Sequence, residues 1–153
     1  MRKSGIVFPY GITLQEGGAI TIFPAAEVSV CSETGEWLSL LFLIDSGATI
    51  SALPRSDAVA LGIDYQMGAP LTVTGIGQLV AGRMHMVEIR LGLDSLKIPI
   101  AFLELDTAPR ILGRAGIFDR YTIILEETTR QSAFLRNRSP ASKRIRTILN
   151  GLR

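Results

Sequence analysis

One carboxylate stands at the end of an apolar run, in Leu41-Phe42-Leu43-Ile44-Asp45-Ser46-Gly47-Ala48-Thr49. A buried strand ending in a turn accounts for the run but not for the acid, because burying a charge is costly unless it is paired or has a task. One task for such an acid is hydrolysis of an amide without a metal or a nucleophilic side chain. Two close carboxylates cannot both ionise, so they hold one proton between them over a wide pH range. The ionised one accepts a proton from water, and the protonated one donates a hydrogen bond to the scissile carbonyl. That behaviour is general to paired carboxylic acids. Gly47 lets the backbone bend and lets another chain come close. Ser46 offers a hydroxyl that can hold the turn. Alone, Asp-Ser-Gly also occurs in ordinary turns, where the Asp caps a backbone N–H.

Other chemistries have few residues to draw on. One His and one Cys cannot build a zinc site from the usual ligands, nor do they suit a Cys–His or Ser–His system, so no metal and no cofactor are expected. Cys31 is alone, which points to a reducing compartment and a cytoplasmic location. His85 reads as a structural strand residue. Asp57 falls in the first turn of a helix, where the dipole favours an acid.

The elements that must position Asp45 read as strands. Fifteen glycines and seven prolines in 153 residues favour a turn-rich, all-β domain over a helical bundle. Residues 6–13 suggest a short edge strand, and 19–23 a clearer one, with Ile20 and Ile22 alternating about Thr21. Residues 27–31 and 37–44 flank a Gly35-containing loop and read as a hairpin whose second strand delivers Asp45. After a brief extended piece at 50–53, Pro54 opens a helix over 55–61, which Gly62 caps. Residues 71–74, Gly75-Ile76-Gly77 and an extended run to Leu91 read as a second hairpin with a glycine-rich tip. Residues 96–102 alternate as another strand, and Pro99 suggests that it lies at an edge. A second apolar-to-glycine stretch follows, Ala108-Pro109-Arg110-Ile111-Leu112-Gly113-Arg114. A short helix at 116–120 and a strand pair at 121–125 and 132–135 complete the body.

The net charge of +2 hides an asymmetry. From residue 136 onward Arg136, Arg138, Lys143, Arg144, Arg146 and Arg153 face no acid. This tail is read as a solvated, partly disordered end, or as a contact for nucleic acid, an anionic surface or an acidic face of its own protein. Ile145, Ile148 and Leu149 are spaced for one face of a weak helix over 144–152. No apolar run approaches the ~18 residues of a membrane span. Met1-Arg2-Lys3 could open a signal peptide, but Pro9 and Gly11 break the stretch that should follow, so export is not expected.

At this point the sequence resembles a family. Phe42-Leu43-Ile44-Asp45-Ser46-Gly47-Ala48 looks like the active-site motif of retroviral-type aspartic proteases, the retropepsins. Gly75-Ile76-Gly77 resembles the tip of their flap, and Ile111-Leu112-Gly113-Arg114 resembles their second signature. The resemblance covers residues 26–121. It implies a closed β-barrel with a flap hairpin and a short C-terminal helix, acting as a homodimer. The expected organisation is an N-terminal extension (1–25), a protease domain (26–135) and a basic tail (136–153).

By position, the resemblance makes Asp45 the catalytic acid and base, one from each subunit. Ser46 would hydrogen-bond across the dimer. Gly47, Ala48 and Thr49 would line the cleft, and Gly75, Ile76 and Gly77 would close over it. Leu43, Pro109 and Ile111 would form apolar pocket walls. Leu112 and Gly113 would pack behind the active-site loop, and Arg114 would anchor the dimer base. There are departures: Ser46 stands where Thr is commoner, and Thr49 where several retroviral enzymes carry the acid that meets the arginine. Ala115-Gly116 also replaces a frequent Asn or Asp. No second Asp-Ser/Thr-Gly exists in the chain, so twofold symmetry must supply the other carboxylate.

The function implied is an aspartic endopeptidase acting on extended peptides with hydrophobic residues at the scissile bond. Two alternatives remain: a peptide-binding dimer of the same fold with little or no activity, and a β-rich protein that contacts nucleic acid through its tail.

Overall fold

Alternation of apolar and polar residues builds the sheet that carries Asp45. A computed structural model of the chain describes residues 4–75 and 78–153. These form strands β1 (Gly5–Pro9), β2 (Gly11–Leu14), β3 (Ile20–Phe23), β4 (Ala25–Cys31), β5 (Trp37–Ile44) and β6 (Ser51–Pro54), then helix α1 (Arg55–Ala60). Strands β7 (Ala69–Gly75), β8 (Gln78–Leu91), β9 (Asp94–Leu103), β10 (Ile111–Leu112), β11 (Tyr121–Glu126) and β12 (Gln131–Arg136) follow, and helix α2 (Pro140–Gly151) ends the chain.

The expected closed barrel is present. Strands run in the order β4-β5-β10-β6-β9-β8-β7, and β4 pairs back to β8 through Ser29↔Arg90 and Val30↔Ile89. The ring therefore closes before β7 is reached. β7 remains outside as the outer arm of the flap hairpin, with Gly75 opposite Gln78. Inside the barrel, Val28, Val30, Phe42, Leu53, Ile89, Ile98, Ile100, Phe102 and Leu112 are buried together. Each large apolar side chain so buried contributes about 1.5–3 kcal/mol, and this core is what holds β5 rigid.

A second sheet, β1-β12-β11, packs against the barrel. Phe134 of β12 meets Phe8 of β1 edge to face at 5.8 Å and joins Tyr121 and Ile117 in the main core. Asp94, at the start of β9, accepts bonds from Arg136 (Nη2 to Oδ1, 2.6 Å) and from the Tyr121 hydroxyl (2.6 Å), which ties this sheet to the barrel. β2 and β3 form a separate hairpin whose paired Ile12/Ile22 and Leu14/Ile20 are exposed.

Four sequence expectations change. The strand expected over 6–13 is interrupted at Tyr10, whose N–H donates to the Arg130 carbonyl (2.9 Å), so β1 and β2 join different sheets. β9 is not an edge strand: it lies between β6 and β8. Pro99 is tolerated because the β6 ladder begins only at Ile100, leaving β9 a single neighbour at the proline. The helix expected over 116–120 is a run of turns, in which Ile117 and Phe118 N–H groups both donate to the Arg114 carbonyl. Gly116 at φ +76° interrupts helical geometry there. The tail is not the disordered end expected, whereas the weak helix expected over 144–152 is present and starts earlier, with the Ser139 hydroxyl accepting from Ser142 N–H as the N-cap of α2. No helix among the described residues is long and apolar enough to cross a membrane.

Candidate active site

Strand β5 ends at Ile44, and Asp45 follows as the first residue off the sheet. Its N–H donates to the Leu112 carbonyl (3.1 Å), so the chain is still held after the strand stops. The turn then closes on itself. Gly47 N–H donates to Asp45 Oδ1 (2.8 Å), and Ala48 N–H donates to the Asp45 carbonyl (3.3 Å). A Cβ at Gly47 would lie 3.1 Å from Asp45 Oδ1, so a bare backbone keeps this oxygen accessible to its donor. Asp45 is half-buried, and among the described residues its Oδ2 has no hydrogen-bond partner.

The second apolar-to-glycine segment is the brace for the first. β10 is only two residues long. It runs parallel to β5 (Ile111↔Leu43, Leu112↔Ile44) and antiparallel to β6 (Ile111↔Ala52), wedged between them. Beyond it, Gly113 N–H donates to the buried Ser51 Oγ (3.0 Å). Arg114 N–H donates to the Ala48 carbonyl (3.0 Å) and Ala115 N–H to the Thr49 carbonyl (2.9 Å). Residues 45–51 and 111–115 thus form one hydrogen-bonded unit. Leu112 is fully buried behind it.

Arg110 ties this unit to α1. Its carbonyl accepts from Leu43 N–H (2.8 Å), and its guanidinium makes two bonds to Asp57 (Nε 2.7 Å, Nη2 2.8 Å). Those bonds push the Arg110 pKa above its ordinary value, against the opposing effect of its partial burial. Asp57 is therefore more than a helix-end acid: it is the buried anchor for the residue that leads into β10.

The expected wall residues divide between two surfaces. Ile111 lies with Ile50, Leu71, Val73 and Val80, packed on buried Ala52, Ala101, Leu103 and Ala108. Val73 and Val80 pair directly across the flap hairpin, so this apolar patch joins the flap to the strands that brace Asp45. Leu43 and Pro109 instead line a groove with Phe23, Leu41 and Arg110, beside the β2–β3 hairpin. The sequence reading missed Ile50, Val73, Val80 and Leu103. Alternation of Leu71 and Val73 in β7 was the visible signal for Val73.

Ser46, Gly47 and Thr49 are exposed, and Ala48 is half-buried. Thr49 and Arg114 border a surface groove with Ala115 and Phe118. The Arg114 side chain is exposed and has no acidic partner among the described residues. Gly75 ends β7 at the flap, whereas Ile76 and Gly77 lie outside the described residues. His85 Nε2 lies 3.2 Å from the Tyr65 carbonyl, and its ring meets Phe102 edge to face, a structural placement. Among the described residues no group of three or more His, Cys, Asp or Glu side chains could hold a metal ion.

Comparison with known proteins points the same way as this geometry. Among solved structures, the chain is similar to a retropepsin-like aspartic protease from Rickettsia conorii. The TM-score is 0.52 at 16% sequence identity, over 88% of this chain and 95% of that one. At that identity the likeness speaks to the fold, which is retropepsin-like. No curated protein sequence matches the chain. The sequence model of the aspartyl protease family matches residues 28–115, the span that begins in β4, includes Asp45 and the flap, and ends at the brace 111–115. That match takes in more than half of the chain and both halves of the hydrogen-bonded unit, and on it the chain belongs to the aspartyl protease family.

Proposed function

We propose that the protein is an aspartic endopeptidase whose active site forms between two copies of the chain, each contributing Asp45. The observation that carries this reading is the bracing of Asp45. Its N–H is bound by Leu112, Oδ1 is bound by Gly47, and Oδ2 is left for a proton, a water or a second carboxylate. One chain offers one such acid, and a twofold axis supplies the other.

In this reading the ionised Asp45 takes a proton from water as the water oxygen bonds to the scissile carbonyl carbon. The protonated Asp45 of the other copy donates to the carbonyl oxygen. Return of a proton to the amide nitrogen lets the C–N bond break, releasing an amine and a carboxylic acid. An extended peptide would lie between the flap and the braced loop, paired through its backbone. Ile50, Val73, Val80 and Ile111 would take apolar side chains beside the scissile bond, with Ala48 and Thr49 at the cleft floor. Residues 26–135 would form the protease domain, with 1–25 and 136–153 as extensions.

The test is incubation of wild type and Asp45→Asn with a diverse peptide mixture across pH. Wild type alone is expected to generate products, enriched in hydrophobic residues at the new ends. Products of equal yield from Asp45→Asn would remove Asp45 from the chemistry.

A further inference from the structure

Helix α2 carries an apolar stripe that is largely uncovered among the described residues. Ile145, Ile148, Leu149 and Leu152 follow the i, i+3, i+4, i+7 spacing of one helical face. Ser142 is buried and Ile145 half-buried against the body, but Ile148, Leu149 and Leu152 are 59%, 55% and 78% exposed. At ~100° per residue, Arg144 falls on one flank of the stripe and Arg146 on the other, with Lys143 on the back. No acid lies anywhere from residue 128 to the end of the chain.

We propose that α2 seats the protein on an anionic lipid bilayer, lying in the plane of the interface. The combination is that of a surface-seeking helix: an apolar face to enter the acyl boundary and basic flanks at the level of the headgroups. Leu93, at the tip of the β8–β9 turn and 88% exposed, shares a groove with Arg120 and Arg138 at the root of α2, where Asp94 and Asp119 also lie. β8 runs from Gln78 at the flap to Leu91 beside that turn, so the seat lies at the opposite end of the strand from the flap.

Other occupants fit the charge less well. A second copy of α2, packed stripe to stripe, would bring Arg144 and Arg146 against their own kind with no acid on the helix to offset them. A nucleic acid would use the cations, but phosphate contact leaves the isoleucine and leucine stripe in water. A bilayer surface takes both.

The full chain would be floated with vesicles of phosphatidylglycerol and phosphatidylcholine in equal parts, and with phosphatidylcholine alone. Binding is expected to the mixed vesicles only, and to weaken as salt rises. Arg144→Gln with Arg146→Gln should weaken it about thirtyfold. Ile148→Ser with Leu149→Ser should weaken it at least about tenfold. These positions are exposed, so thermal unfolding should be unchanged and a folding defect is distinguishable. Failure of wild type to float with the mixed vesicles would overturn the proposal. So would binding that survives the serine pair, because the stripe would then be idle. A fall in molecular mass of the lipid-free serine variant, without change in flotation, would assign the stripe to self-association. Duplex DNA binding tighter than vesicle binding, and insensitive to the serine pair, would assign the cations to nucleic acid. The proposal is independent of Asp45, and Asp45→Asn should float like wild type.

Discussion

Gly113 leaves no room for a side chain. A Cβ there would lie 2.3 Å from the Ile50 carbonyl oxygen and 2.8 Å from Ser51 N. Both are backbone atoms of the segment joining the Asp45 loop to β6, so the clash is relieved only by moving that loop. Gly113→Ala is therefore expected to cost about 3 kcal/mol, read as a lower urea midpoint. Peptidase activity per folded chain should fall as well, because the Arg114–Ala48 and Ala115–Thr49 bonds move with the shift. An unchanged midpoint would mean that the brace is looser than its geometry. At this scale the turn role of Asp45 was legible in Asp-Ser-Gly, and the structure shows it in the Gly47 N–H bond to Oδ1. Gly113 was legible as part of a motif, but its physical reason was not, because the Ile50 carbonyl that excludes a methyl is far away in sequence. The Asp57–Arg110 pair was hidden for the same reason. Its partners are 53 residues apart, and the helix dipole already offered Asp57 a sufficient local explanation.

Elements were read well where periodicity and punctuation agree, and misread where a glycine or a tertiary neighbour decides. α1 begins after Pro54 and ends before Gly62 at φ +68°, as its end signals require. In the 116–120 segment, by contrast, Gly116 in the left-handed region leaves a run of turns. The β11–β12 connection shows how a loop can be held by one acid. Glu126 accepts from Thr128 N–H (2.9 Å), Thr129 N–H (2.7 Å) and the Thr129 hydroxyl. The Thr129 hydroxyl first, then the backbone donors, hold its pKa down to about 2 from an ordinary 4.5. A carboxylate with a depressed pKa stabilises the fold above its unfolded value and loses that contribution as pH falls through the folded one. The turn is thus expected to weaken between about pH 4.5 and about pH 2. Glu126→Gln should lower the urea midpoint at pH 6 and match wild type near pH 2. The group lies at the surface, where solvent screens it, so the difference will be small, and its sign and pH window are the test. A variant that differs equally at both ends would show that Glu126 acts through packing.

At the scale of the whole molecule, the order of motifs announced a barrel, but its closure through Ser29↔Arg90 and Val30↔Ile89 had no local signal. The proposed dimer, by contrast, rests on arithmetic on one residue. The proposed chemistry needs two carboxylates within reach of one water, and the chain has one Asp-Ser-Gly. Activity should therefore depend on concentration in a way that a one-chain site would not. Above the dissociation constant the rate per chain should be constant. Below it, the rate per chain should fall in proportion to total protein, because dimer concentration then varies with the square of monomer. Mixing offers an independent measure. With equal amounts of wild type and Asp45→Asn at constant total protein, random pairing leaves about one quarter of dimers with two aspartates. Activity should then fall to about a quarter of the undiluted value, whereas independent chains would retain half. The same titration followed by sedimentation would show whether loss of activity tracks loss of dimer. A rate per chain that holds through dissociation, with half the activity in the mixture, would place the whole site within one subunit.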